Sequence, residues 1–128
     1  MGALGPEAGW NLRVFGAHVH QAFGHVAYHV GSSLTSKDKF RDVDVRLILP
    51  DDEYAALFVA PEPVDIPREP VRVWNLAWSA FGRQMTGLPV DFQFQSQTLA
   101  NSEYPGPRGA LVLLESDLPF VRTRASFG

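Results

Sequence analysis

The spacing of apolar residues between Val71 and Met85 constrains the fold more than any other feature of the sequence. Large apolar side chains recur there at steps of three or four residues, which places them on one side of an α-helix. They are Val71, Trp74, Trp78, Phe81 and Met85. Gly87 and Pro89 follow in the order that ends a helix. So wide an apolar stripe must be covered, and we expect a β-sheet to cover it.

Periodicity on either side of this helix predicts the remaining elements. A helix is expected over 10–23, and alternating apolar residues predict strands over 25–30, 41–49 and 90–95. A short helix through Phe58, capped by Asp51 or Asp52, comes after the second strand. The four prolines between Val59 and Pro70 indicate a loop.

This order of elements predicts one α+β (α/β-like) domain, with helices packed on one face of a small mixed sheet. We expect the core to extend from about residue 10 to 95 and a turn-rich tail to occupy 96–128. Within that tail, the apolar run Ala110–Leu114 is either a strand or a short helix, and periodicity does not separate the two.

Composition narrows the class of protein. Of 128 residues, 45% are apolar and 20% charged, which is enough apolar material for a core. The net charge of −3 argues against a scaffold for duplex DNA, and the absence of cysteine excludes disulfides, cysteine-ligated metals and thiol nucleophiles. Met1–Trp10 lacks the pattern of a signal peptide, and no apolar run reaches the length of a membrane span, so we expect a cytoplasmic protein without a membrane partner.

The second strand carries the residues with the most evident chemistry. Asp42, Asp44 and Arg46 are spaced by two and therefore leave the same face, with Val43, Val45 and Leu47 on the other, buried face. Neighbouring carboxylates repel each other unless a cation lies between them, and magnesium is a natural choice. The simpler interpretation is an amphipathic strand with one wet face. Arg46 either contacts phosphate or neutralises Asp44.

A turn follows the first strand and can hold phosphate. Gly31 allows close approach to the backbone, and the hydroxyls of Ser32 and Ser33 can donate to a phosphate oxygen. The stretch 31–37 lacks the second glycine of a P-loop, which excludes that motif. Alternation places His29 on the strand face that we assign to the active side. The charges at Lys37, Lys39 and Arg41 are interpreted as a solvated loop.

Together these residues resemble the signature of the polymerase-beta-like nucleotidyltransferase superfamily. In that family an apolar residue and Gly-Ser or Gly-Gly precede an Asp-apolar-Asp/Glu-apolar strand by about nine to thirteen residues. Here Val30-Gly31-Ser32 is followed, after nine residues, by Asp42-Val43-Asp44-Val45. The resemblance covers residues 25–49 directly and extends to residue 95 through the order of elements. Asp91, on the polar side of the third strand, matches the family's third carboxylate.

The resemblance implies a metal-dependent enzyme that moves a nucleoside monophosphate from an NTP such as ATP to a hydroxyl, releasing pyrophosphate. It implies that Asp42, Asp44 and Asp91 bind two magnesium ions, with manganese as an alternative, and that Asp91 also acts as the base or helps to position it. It further implies that Gly31, Ser32 and Ser33 hold the β and γ phosphates. The hydroxyl acceptor, whether protein, RNA or small molecule, is not indicated.

The chain departs from the family pattern after Gln95. About 33 residues remain, too few for the helical domain that usually binds the base or the acceptor, so the chain resembles minimal nucleotidyltransferases. We expect the tail, a second copy in a homo-oligomer, or a helical partner protein to complete the site. Two alternatives remain: a catalytically inactive domain of this fold that binds nucleotide or protein, and an unrelated α/β module with a chance match.

Overall fold

A computed structural model of the chain describes residues 4–35, 42–58 and 70–113. The elements within these ranges, in chain order, are α1 (Pro6–Phe23), β1 (Ala27–Val30), α2 (Ser32–Thr35), β2 (Val43–Leu49), α3 (Asp51–Phe58), α4 (Pro70–Thr86), β3 (Val90–Ser96), α5 (Gln97–Glu103) and β4 (Gly109–Ala110). Of the loop predicted over 59–70, residues 59–69 lie outside the described residues, and Pro70 begins α4 instead. The three cations at 37, 39 and 41 also lie outside the described residues.

The four described strands form one mixed sheet in the order β3-β2-β1-β4. β2 and β3 are parallel, whereas β1 is antiparallel to both of its neighbours, β2 and β4. The predicted α+β class with a small mixed sheet is therefore confirmed. The apolar run at Ala110 begins as a strand, because Gly109 and Ala110 pair with β1 and the Leu111 N–H donates to the Ala27 carbonyl over 2.9 Å.

The core lies between one face of the sheet and helices α1 and α4. Val43, Val45 and Leu47 are fully buried on this face, as the alternation along the second strand predicted. Phe15 of α1 contacts Phe92 of β3 edge to face, with ring centroids 6.0 Å apart, and it also contacts Trp78 of α4. This arrangement covers part of the apolar stripe of α4.

The contact face of α4 is not centred where its apolar stripe predicted. Ser79, Gly82 and Thr86 are the buried residues of this helix, whereas Trp74 remains 48% and Phe81 38% exposed. β3 is an edge strand, and α4 supplies hydrogen-bonding partners for its free backbone groups. Ser79 Oγ accepts from the Phe92 N–H over 2.8 Å and donates to the Phe92 carbonyl over 3.2 Å.

Two further side chains of α4 continue this edge pairing. Asn75 Oδ1 accepts from the Phe94 N–H over 2.9 Å, and Arg83 Nε donates to the Val90 carbonyl over 3.0 Å. Four residues of helix rise by about 6 Å, close to the advance of two residues along a strand, so side chains at 75, 79 and 83 match alternate strand residues. The helix thereby protects the edge of the sheet.

The opposite face of the sheet carries α5, in a region that the sequence pattern indicated to be turn-rich. Ser96 caps this helix by accepting from the Leu99 N–H, and Asp51 of α3 accepts from both the amide and the hydroxyl of Thr98. Gln95 of β3, 1% exposed, donates to Glu103 over 2.8 Å. α5 therefore covers part of the face that the alternation along β2 and β3 predicted to be wet.

One prediction of side-chain direction was wrong. Tyr28 is paired with Arg46 and His29 with Val45, and paired residues project to the same side of a sheet. His29 therefore points to the core side and is buried, while Tyr28 shares the face of Arg46. The alternation in His25–Val30 placed these two residues on opposite faces but did not show which face was the core, because both sets contain apolar members. None of the described helices is long and apolar enough to cross a membrane.

Candidate metal centre

Three strand ends meet at one end of the sheet. β2 and β3 run parallel, so their first residues lie side by side, and the last residue of the antiparallel β1 meets the beginning of β2. In this register Asp44 is paired with Asp91, and Val30 with Asp44. Both carboxylates therefore leave the sheet on the face opposite the core. Asp42, two residues before Asp44, extends the same row.

The three carboxylates converge. One oxygen from each of Asp42, Asp44 and Asp91 lies within 4.8 Å of the others. Asp42 is exposed, and Asp44 and Asp91 are half-buried, so the cluster opens to solvent at its Asp42 side. Carboxylate oxygens are the preferred ligands of magnesium and manganese, so this group of three is able to hold a divalent ion.

The electrostatics of the cluster favour a cation. Partial burial raises the pKa of the Asp44 carboxyl above its ordinary value, and the Arg46 guanidinium acts against this effect. The negative charges of Asp91 and Asp42 raise the pKa further. A divalent ion between the carboxylates offsets both the burial and the repulsion, because it favours the charged form of all three groups.

Gly31 connects the turn after β1 to the carboxylates. Its φ of +81° lies in the left-handed region. A Cβ at this position would lie 2.5 Å from Asp44 Oδ2, closer than van der Waals contact permits. The glycine thus has two reasons to be present, a turn and the close approach of a carboxylate to the backbone. The sequence predicted the turn and the close approach of a phosphate, whereas the group that approaches Gly31 in the structure is the Asp44 carboxylate.

The two serines predicted to lie in the turn begin α2, and they differ in burial. Ser32 is exposed beside Gly31 and is available to a ligand. Ser33 is fully buried, and its Oγ lies 2.7 Å from His29 Nε2. Burial lowers the pKa of His29, which favours the neutral ring in this hydrogen bond. Ser33 is therefore a structural residue here, and the exposed part of the predicted phosphate turn consists of Gly31 and Ser32.

Arg46 lies behind the carboxylates, with only 3% of its surface exposed. Its Nη2 lies 3.5 Å from Asp91 Oδ2 and 3.8 Å from Asp44 Oδ1. It neutralises the cluster in part, and burial removes it from direct contact with a substrate in solvent. Of the two roles considered for this residue, the structure supports neutralisation.

Sequence reasoning did not identify Tyr104, which follows α5. Its hydroxyl accepts from Arg46 Nη2 over 3.1 Å, and the Arg46 guanidinium carbon lies 5.4 Å from the centre of its ring. No periodic pattern marks this residue, because α5 is short and its contact with β2 joins residues far apart in sequence. The proximity of an aromatic residue to a Pro-Gly turn was the only available signal, and it is not specific.

Comparison with protein-family models, with characterised proteins and with solved structures gave no match for this chain.

Proposed function

We propose that the protein is a metal-dependent nucleotidyltransferase, which moves a nucleoside monophosphate from an NTP to a hydroxyl group. The observation that carries the proposal is the convergence of Asp42, Asp44 and Asp91 at a strand end whose neighbouring turn, at Gly31, touches Asp44. This layout places a carboxylate set that suits magnesium next to backbone and hydroxyl groups that suit phosphate.

Each residue takes a role that its position permits. Asp42 and Asp44 hold magnesium, or manganese in its place, which supplies positive charge to the triphosphate when bound. Ser32 donates its hydroxyl to a phosphate oxygen beside Gly31. Asp91 is half-buried and accepts the proton of the attacking hydroxyl. The hydroxyl oxygen bonds to the α phosphorus, the bond to the bridging oxygen breaks, and pyrophosphate leaves.

The acceptor binds where the cluster opens to solvent, at the side of Asp42. The described residues on this face include Tyr28 and Tyr104, and we propose that the nucleobase or the acceptor needs further contacts. A second copy of this chain in a homo-oligomer, or a helical partner protein, is the source that we propose for them.

A transfer assay tests the proposal. The protein is incubated with each NTP labelled at the α phosphate, with magnesium and with three classes of acceptor, namely protein, RNA and small hydroxyl compounds. We expect label transfer and an equal amount of pyrophosphate. Asp42→Asn/Asp44→Asn should abolish both, because an amide has no net charge with which to hold the ion.

The matched control is Glu7→Gln, which removes a charge from the exposed first turn of α1 and should retain activity. Equal turnover in the doubly substituted protein would contradict the proposal. Stabilisation by ATP and magnesium without any label transfer would instead favour the catalytically inactive, nucleotide-binding alternative.

A further inference from the structure

Arg46 is held by groups other than the carboxylates beside it. Nη1 donates to the Asp91 carbonyl over 2.7 Å and to the Val45 carbonyl over 3.0 Å. Nη2 donates to the Tyr104 hydroxyl over 3.1 Å. The guanidinium is thus attached to the backbone of β2 and β3 and to the segment after α5 by hydrogen bonds that do not involve the side chains of Asp44 and Asp91.

The same geometry leaves the carboxylate oxygens available. The distances from Nη2 to Asp91 Oδ2 and Asp44 Oδ1, 3.5 and 3.8 Å, are within range for charge attraction but too long for hydrogen bonds. An arginine beside two carboxylates ordinarily forms short, often bidentate pairs that occupy the oxygens. Here three oxygen acceptors outside the carboxylate groups take hydrogen bonds from the two Nη atoms, and the buried Nε has no hydrogen-bond partner among the described residues.

We propose that Arg46 is a tethered counter-charge, a positioning residue that holds the carboxylates together before a metal ion arrives and opposes the ion once it binds. Tyr104 is the tether that keeps Nη2 away from the metal ligands. The inference rests on the proposed function, because it assumes that Asp42, Asp44 and Asp91 bind a divalent cation. This role also explains why the buried Arg46 guanidinium lies beside carboxylates that are proposed to bind a second cation, the metal ion.

This role predicts opposite effects for two substitutions. Arg46→Met removes the positive charge that repels the ion, so manganese should bind more tightly, by roughly tenfold. Tyr104→Phe keeps the charge but frees Nη2 to hydrogen-bond with Asp91 Oδ2, so manganese should bind more weakly, by roughly two- to fivefold. If Arg46 and Tyr104 only stabilise the fold, manganese should bind more weakly in both variants, because loss of structure cannot improve a metal site.

The experiment measures manganese affinity by calorimetry in the full chain, together with Tm in EDTA and in manganese. Arg46→Lys keeps the positive charge but not the planar guanidinium, so its manganese affinity should stay below that of Arg46→Met. The control is Arg72→Met on the exposed side of α4, which changes net charge equally and should leave the affinity unchanged. Arg46→Met should lower Tm in EDTA and show a larger rise on addition of manganese than wild type.

Equal or weaker manganese binding by Arg46→Met overturns the inference. If that variant does not fold, Tyr104→Phe decides: affinity equal to or above that of wild type overturns the inference. A different result would contradict the proposed function: wild-type protein that binds no manganese and transfers no label. If the wild-type protein binds manganese and transfers label, but a variant changes manganese affinity in the direction opposite to that predicted, only the counter-charge role of Arg46 is rejected.

Discussion

At the scale of single residues, the site depends on a close approach that only glycine permits. Gly31 combines a positive φ with a position where a Cβ would overlap Asp44 Oδ2. Gly24, which ends α1, has a φ of +76° with open space around the corresponding Cβ position. The two glycines share their backbone requirement and differ in the neighbouring carboxylate, so comparing them isolates the contact with Asp44.

Gly31→Ala should destabilise the protein more than Gly24→Ala. Both variants lose about 1 kcal/mol because alanine disfavours a positive φ. Gly31→Ala must also displace the Asp44 carboxylate, which should add about 1 kcal/mol and weaken manganese binding. Urea unfolding and manganese titration of the two variants measure these effects. Equal losses of stability, with manganese affinity unchanged in both, would show that the contact with Asp44 is unimportant.

The pKa of Asp44 makes a second prediction at this scale. Because partial burial raises this pKa in the folded state, the folded protein binds the proton more tightly than the unfolded chain. The metal-free protein therefore loses stability as pH rises from the ordinary value of 3.8 through the raised pKa. Asp44→Asn should remove this loss of stability. The variant should therefore be more stable than wild type at about pH 7, but not at about pH 4.

Urea unfolding in EDTA at the two pH values tests this, with Asp52→Asn on exposed α3 as the control for loss of a carboxylate. The prediction is contradicted if Asp44→Asn is no more stable than wild type at the higher pH. Saturating magnesium should reverse the order of the two proteins, because only the wild-type carboxylate gains from the ion.

At the scale of elements, the pairing of α4 with the edge of β3 does more than bury apolar area. Ser79, with Asn75 and Arg83, satisfies backbone groups that an edge strand otherwise leaves free. Because Ser79 is 4% exposed, water cannot easily replace it. The polar residues on this helix therefore contribute to its packing together with its aromatic residues.

Ser79→Ala should cost about 1–3 kcal/mol in the free energy of unfolding, since the buried Phe92 N–H and carbonyl both lose their partner. Gln84→Ala, on the exposed side of the same helix, should cost less than about 0.5 kcal/mol. Urea unfolding measures both, and hydrogen exchange at the Phe92 amide should accelerate only in Ser79→Ala. Similar costs for the two variants would contradict the edge pairing.

The elements also show what the sequence could predict. The period of α4 and the alternation along β2 gave the helix, the strand and the buried valines, because one face of each is uniformly apolar. The apolar pattern did not predict the contact face of α4. Hydropathy places aromatic residues at the centre of this face, whereas hydrogen bonding to β3 places Ser79 there. The side of His29 required the register with β2, which is set by pairing between distant segments.

At the scale of the molecule, the hydrophobic core and the carboxylate cluster lie on opposite faces of the sheet. One face packs on α1 and α4, and the other carries the carboxylates, Arg46 and the contact with α5. The spacing of Asp42 and Asp44 predicted that they share one face, and the family resemblance predicted Asp91 beside them. The parallel pairing of β2 with β3 brings an oxygen of each within 4.8 Å of the others. Tyr104 entered the site only through the packing of α5 on this face, a contact between distant segments that no local pattern encodes.

A crystal structure with manganese and a non-hydrolysable NTP tests the central claim most directly, because anomalous scattering locates the ion without assumption. We predict manganese within about 2.1 Å of oxygens from Asp42, Asp44 and Asp91, with the triphosphate against Gly31 and Ser32. Manganese and nucleotide bound elsewhere, or three carboxylates that remain without an ion at saturating manganese, would contradict the account.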